Sequence, residues 1–359
     1  QMKNKTMAMA MAMADPTKQV TMPTNRLSLC FRASILSILV SNCQVVRAFT
    51  TPSASTSQLP PIKAAVIVPG FLTGRDEFQP LAESLIARGI PSVVIPMPNW
   101  HWIPCIGGRS MRPVLERIDV AVRHLAASDG DITAIPDVGY SLVDCWNDFW
   151  TNPGGVAEVG GTSDPDQYPI VEPRGTFPAA GDPKGRVAII GHSAGGWISR
   201  VYLSKRNYGG KIYGGSDLIH SVVTLGSPLG NAPGAAFAGV GWCNKEALAP
   251  GVRGLAVAGK GFPGDSSGQF TQNCYSFCCK DGTDGTGYDG DGVTPVHSSL
   301  HFEGAEKLII DDCAHFAWTD VFGGSIIAPD LTEKYREKGG YWYGSDGKID
   351  EWASWLLDM

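Results

Sequence analysis

The feature that most constrains the fold is an alternation of short, unbroken apolar runs with segments of helical spacing. Ala64-Ala65-Val66-Ile67-Val68, Pro91-Ser92-Val93-Val94-Ile95-Pro96, Arg186-Val187-Ala188-Ile189-Ile190, Ile219 to Leu225 and Lys307-Leu308-Ile309-Ile310 read as strands. A run without polar alternation has no face to give to water, so such strands belong in a parallel sheet covered on both sides. Between them, Asp76 to Arg88 carries Phe78, Leu81, Leu85 and Ile86 at helical spacing, and Arg112 to Leu125 carries Leu115, Ile118, Val122 and Leu125 on one face. Gly195 to Lys205 and Ile349 to Leu357 read as two more helices. The expected fold class is α/β: a mostly parallel, doubly wound sheet with helices on both faces.

Two blocks interrupt this pattern and are expected to be irregular insertions in one domain spanning 62–359. The first, 127–185, is rich in Gly, Pro and Asp; the second, 227–288, is rich in Gly and contains cysteines. Loops of that length in a compact domain are usually lids or binding loops, or else disordered. Residues 1–61 differ from the rest and read as a leader and linker. Arg26 and Arg32 precede the apolar run Ala33 to Val40, and Val46-Arg47-Ala48 offers a cleavage site, as in a signal peptide ending near Ala48. The run is too short to span a bilayer. The hydroxylated, acid-free stretch Phe49 to Ser57 resembles the second part of the bipartite leaders of plastid proteins in algae with secondary plastids; secretion and mitochondrial import are the alternatives.

Lys plus Arg is 29 and Asp plus Glu is 35, a net charge of −6. Six of the basic residues and only Asp15 of the acidic ones fall in the first 48 positions, so 23 basic face 34 acidic residues in the remainder. Such a surface repels polyphosphate, and no nucleic-acid partner is expected. Cys105, Cys145, Cys243, Cys274, Cys278, Cys279 and Cys313 lie beyond the leader. The cluster at 274–279 lacks a second CxxC or a nearby HxxxH, so one or two loop disulfides are expected rather than a zinc site.

The chemistry is carried by Gly191-His192-Ser193-Ala194-Gly195, a GxSxG pattern. With 44 glycines in the chain the pattern alone decides nothing, and it recurs at Gly264-Asp265-Ser266-Ser267-Gly268. Context separates the two. A nucleophile elbow needs a strand running into a sharp turn and a helix beginning at once, with glycines where any side chain would strike a neighbouring element. Ser193 has both flanks, whereas Ser266 sits among turn residues and is read as one. A serine hydroxyl needs a base. Among seven histidines, His315 follows the strand ending at Ile310 by a short loop, at the strand ends where a doubly wound sheet presents its loops. The chain order serine, acid, histidine places the carboxylate before it, at Asp291 in Gly290-Asp291-Gly292-Val293-Thr294-Pro295, with Asp289 as the rival. Oxyanion donors are expected from the N–H of Ala194 and from the loop after the first strand, Pro69-Gly70-Phe71-Leu72, where Phe71 is favoured and Leu72 is the alternative.

With these motifs in order, the chain resembles α/β-hydrolases, and within them lipases and esterases. It is similar in particular to lipase-like hydrolases of cyanobacteria and plant chloroplasts, through Gly107 to Leu115 and Gly191 to Trp197. The resemblance implies carboxylic ester hydrolysis through a serine acyl-enzyme, with no metal or organic cofactor. It departs from the pattern at Pro69, where a histidine often precedes the oxyanion glycine. The expected substrate is an acyl ester, a lipid or similarly apolar molecule, with peripheral membrane contact. Trp146, Phe149, Trp150, Trp242 and Phe262 could form a lid or could merely pack the insertions. Two other readings stay open: an acyltransferase using the same residues, and a binding protein on a hydrolase scaffold.

Overall fold

A computed structural model describes residues 62–106, 111–127, 135–136, 138, 141–151, 187–208, 211–265, 269–317 and 328–357. The expected leader, the second serine motif at Ser266 and most of the first insertion lie outside these residues.

The five apolar runs and one further segment form six parallel strands among the described residues: β1 (Ala64–Val68), β2 (Ser92–Val94), β3 (Val187–His192), β4 (Ile219–Leu225), β5 (Arg253–Gly259), which is the further segment, and β6 (Glu306–Ile310). Their order across the sheet is β2-β1-β3-β4-β5-β6, and every pairing is parallel. Successive side chains point to opposite faces, and both faces are apolar. Val66, Val68 and Ile189 face one way, toward α2 (Arg112–Ala127) through Leu115, Ile118 and Val122 and toward α4 (Ala194–Leu203) through Ile198 and Val201. Ala65, Ile67 and Ile190 face the other way, toward α1 (Arg75–Ala87) through Phe78, Leu81 and Leu85 and toward α9 (Asp346–Trp352) through Ile349 and Trp352. The remaining α-helices among the described residues are α3 (Leu142–Thr151), α5 (Ala238–Cys243), α6 (Gln269–Phe277), α7 (Val296–Ser299) and α8 (Pro329–Glu337). Among the described residues no helix is long and apolar enough to cross a membrane.

The second insertion is corrected by the structure. The block 227–288 is not irregular throughout, because it contains β5, an interior strand hydrogen-bonded to β4 and β6, together with α5 and α6. Gly254, Ala256, Ala258 and Gly259 weaken its strand signal, and the sheet supplies what local propensity lacks. β6, at the sheet edge, exposes Glu306 and Lys307, charges that discourage a further strand from pairing there. The expected loop disulfides are also absent among the described residues, where Cys105, Cys243, Cys274, Cys278, Cys279 and Cys313 are all free thiols. Cys105 and Cys243 pack in the core on one sheet face and Cys313 in that on the other, so they behave as small apolar side chains. Of the expected lid residues, Trp242 and Phe262 are buried instead. Trp242 packs its ring 5.4 Å from Tyr208, and Phe262 belongs to a small core with Phe270 and Leu331.

Candidate active site

The strand order reverses between β1 and β3, and the crevice at their carboxyl ends is where an open α/β sheet receives ligands. Ser193 stands there, between the end of β3 and the first residue of α4, with φ 50° and ψ −124°. That left-handed backbone is costly for a residue with a Cβ and is held by its surroundings. The Ser193 N–H donates to the Leu225 carbonyl at 2.9 Å, and the Gly196 N–H donates to the Ser193 carbonyl at 3.0 Å. Gly195 lets helix α4 start against β1, since a Cβ there would lie 2.3 Å from the Val68 carbonyl oxygen.

The loop after β1 comes equally close. A Cβ on Gly70 would lie 2.9 Å from the Cβ of Ser193. The loop is tied into a tight turn by the N–H and Oγ1 of Thr73, which donate to the Gly70 carbonyl at 3.1 and 2.6 Å, and Leu72 takes φ 62° within it. Trp102 clamps it from outside, its Nε1 donating to the Thr73 carbonyl at 2.7 Å and its ring 5.5 Å from that of Phe71. Phe71 lines the cavity at Ser193, whereas Leu72 is 41% exposed.

Asp291 and His315 meet. His315 Nδ1 lies 2.8 Å from Asp291 Oδ2, and the His315 N–H donates to the Asp291 carbonyl at 2.9 Å, so side chain and backbone of the same two residues are joined. Both are buried, at 2% and 0% exposure. The other carboxylate oxygen, Oδ1, accepts the N–H groups of Val293 and Thr294 at 3.0 and 2.7 Å, an Asx-type turn within the Gly290–Pro295 loop. Asp289, the rival acid, is exposed and uses Oδ1 to accept the N–H groups of Gly261 and Gly290, which turns it away from the histidine.

Sequence reasoning missed two members of this arrangement. Tyr343, fully buried, donates its hydroxyl to Asp291 Oδ2 at 2.8 Å and accepts the Gly259 N–H at 2.6 Å. Burial, and secondarily the neighbouring Asp291 carboxylate, hold its phenol well above the usual tyrosine range, so it keeps the proton it donates. No local motif marks a tyrosine 52 residues from its partner. Gly226 is the second. It follows β4 with φ 56°, and a Cβ there would lie 2.4 Å from Asp291 Oδ2. His192, read from the sequence as a packing or pocket residue, also has a definite partner. Its Nε2 lies 2.7 Å from the His315 carbonyl and so carries the proton. Burial, then the nearby His315, lowers its pKa far below the ordinary histidine value, leaving it neutral.

Ser193 and His315 line one cavity of about 60 Å³. No hydrogen bond joins Ser193 Oγ to a described residue. The fold and the elbow together decide the class. The fold is that of the α/β-hydrolase superfamily. A family model for a PGAP1-like α/β domain matches residues 175–238, the segment that contains β3, the Ser193 turn, α4 and β4. This places the hydrolase likeness on the segment that carries the Ser193 turn and points to a hydrolase in general. No curated protein matches the chain in sequence, so the narrower likeness to cyanobacterial and chloroplast lipase-like hydrolases rests on the quoted motifs alone.

Proposed function

We propose that this α/β-hydrolase is a serine carboxylic ester hydrolase acting on apolar acyl esters. The observation that carries the proposal is a buried imidazole held by a carboxylate, lining the same cavity as a serine in a strained turn. Ser193 Oγ would attack the ester carbonyl while His315 Nε2 takes its proton. Asp291 would hold the His315 ring in the tautomer with Nδ1–H and stabilise the imidazolium that forms. Asp291 enters this step already fixed, since Val293 N–H, Thr294 N–H and Tyr343 Oη all donate to it. The N–H groups of Phe71 and Ala194 would stabilise the tetrahedral oxyanion, aided by the close approach of Gly70 to Ser193. His315 would then return its proton to the leaving alcohol, and water would repeat the sequence on the acyl-enzyme.

The test is active-site labelling with a fluorophosphonate, together with hydrolysis of a p-nitrophenyl ester. Wild type should label on Ser193, and Ser193→Ala should neither label nor turn over, a loss of about 10⁶ in kcat by analogy with other serine hydrolases. Asp291→Asn should lower kcat about 10⁴-fold while the protein stays folded. Stoichiometric labelling that persists in Ser193→Ala would refute the assignment.

A further inference from the structure

The cavity at Ser193, about 60 Å³, is small for its proposed task. By the same kind of measure one water needs roughly 10–15 Å³, and an apolar cavity of about 150 Å³ takes a benzene ring. The room beside the nucleophile therefore amounts to roughly four to six water-sized positions. This enclosed part of the pocket accommodates an ester carbonyl and a few carbons, not a fatty acyl chain.

The wall that sets this limit is apolar. Phe237 and Phe277 line the cavity with their ring centroids 4.9 Å apart, beside Cys274, Val293 and Phe316. A short cavity restricts substrates only if its wall stays in place. Helix α6, which carries Cys274 and Phe277, is fastened to the loop that holds Asp291. Its Tyr275 is fully buried, donates its hydroxyl to the Phe262 carbonyl at 2.6 Å and accepts the Gly292 N–H at 2.9 Å. Phe270 anchors the other end of the helix in a small core with Ala314, Leu331 and Tyr335. Swinging α6 outward would break both Tyr275 bonds beside the acid and expose that core, so the helix is a fixed wall and not a lid. Phe237, 5% exposed, belongs to the core on that face of the sheet and cannot retreat freely either.

We infer that Phe277, backed by Phe237, ends the acyl pocket, and that the enzyme selects esters of short acyl groups, acetyl to about butyryl. The inference rests on the ester-hydrolase reading and narrows it, from apolar esters at large to those with a small acyl arm.

The experiment compares kcat/KM of wild type, Phe277→Ala and Phe237→Ala on p-nitrophenyl acetate, butyrate and octanoate. Fluorophosphonate labelling and circular dichroism are recorded on the same preparations. Wild type should favour the better of acetate and butyrate over octanoate by about 100-fold or more, since misfit of even one methylene in a filled pocket costs about tenfold or more. Phe277→Ala vacates a phenyl ring and should shrink that ratio at least about tenfold, whatever its absolute rates. Phe237→Ala should shrink it in the same direction. If Phe277→Ala does not fold, Phe277→Leu and Phe237→Ala put the same question. A wild type that hydrolyses octanoate as well as acetate, or a ratio equal in all folded variants, overturns the inference, and intact labelling then leaves the hydrolase reading standing. Absence of both labelling and hydrolysis on all three esters ends the hydrolase reading and this inference with it.

Discussion

Replacing Tyr343 by Phe removes one oxygen atom and leaves the ring in place. That oxygen donates to Asp291 Oδ2 at 2.8 Å and accepts the Gly259 N–H at 2.6 Å, at a site with no solvent exposure. A hydrogen bond to a charged group contributes about 1.5–3 kcal/mol, and a buried N–H left without a partner costs about 1–3 kcal/mol. The two terms share one oxygen and do not add fully, so the expected loss of stability is on the order of 3 kcal/mol. Asp291 Oδ2 would keep His315 as its remaining side-chain partner, and the carboxylate would be free to rotate on its Oδ1 contacts. A misalignment costing about 1.4 kcal/mol in the transition state is tenfold in rate, so fluorophosphonate labelling of Ser193 should slow about tenfold. The assay pairs that rate with a urea titration, and Tyr341→Phe serves as control because Tyr341 is 46% exposed. Tyr343→Phe within about 0.5 kcal/mol of wild type and labelled at the wild-type rate would refute the argument that this hydroxyl holds the acid.

Gly226→Ala should impair labelling more than stability. Its φ of 56° costs a non-glycine residue about 1–2 kcal/mol, while the added Cβ, 2.4 Å from Asp291 Oδ2, must displace the carboxylate from His315. Labelling at the wild-type rate in a folded variant would contradict this. Acid should weaken the fold through His192. Its folded pKa is depressed, so the unfolded chain takes a proton that the folded one refuses as pH drops below about 6.5, and stability present above that pH is lost progressively below it. The titratable groups around it are His315, whose carbonyl it bonds, and Tyr343, which stays neutral. His192→Gln retains an N–H donor toward the His315 carbonyl and should remove one proton's worth of slope from the urea midpoint between pH 5 and 6.5; an unchanged slope would contradict it.

What was legible in the sequence follows from the range of the forces involved. β1 and β4 have the expected limits because Ala64–Val68 and Ile219–Leu225 are unbroken apolar runs. β5 escaped notice because its glycines and alanines carry little strand preference, and its place between β4 and β6 comes from pairing partners remote in the chain. Burial of Trp242 and Phe262 was equally hidden. An aromatic in a glycine-rich stretch reads alike whether it faces a cleft or, as here, Tyr208 or the Phe270 core.

The sequence by itself determined a two-faced parallel sheet and the serine turn at its crevice, because strand burial and a strand-to-helix turn depend on neighbours within a few residues. Only the tertiary structure decided that Asp291 and not Asp289 meets His315, that Tyr343 steadies that acid, and how far the cavity extends beyond Ser193. Those outcomes depend on loops converging from the ends of separate strands, where a shift of one hydrogen-bond length changes which groups touch.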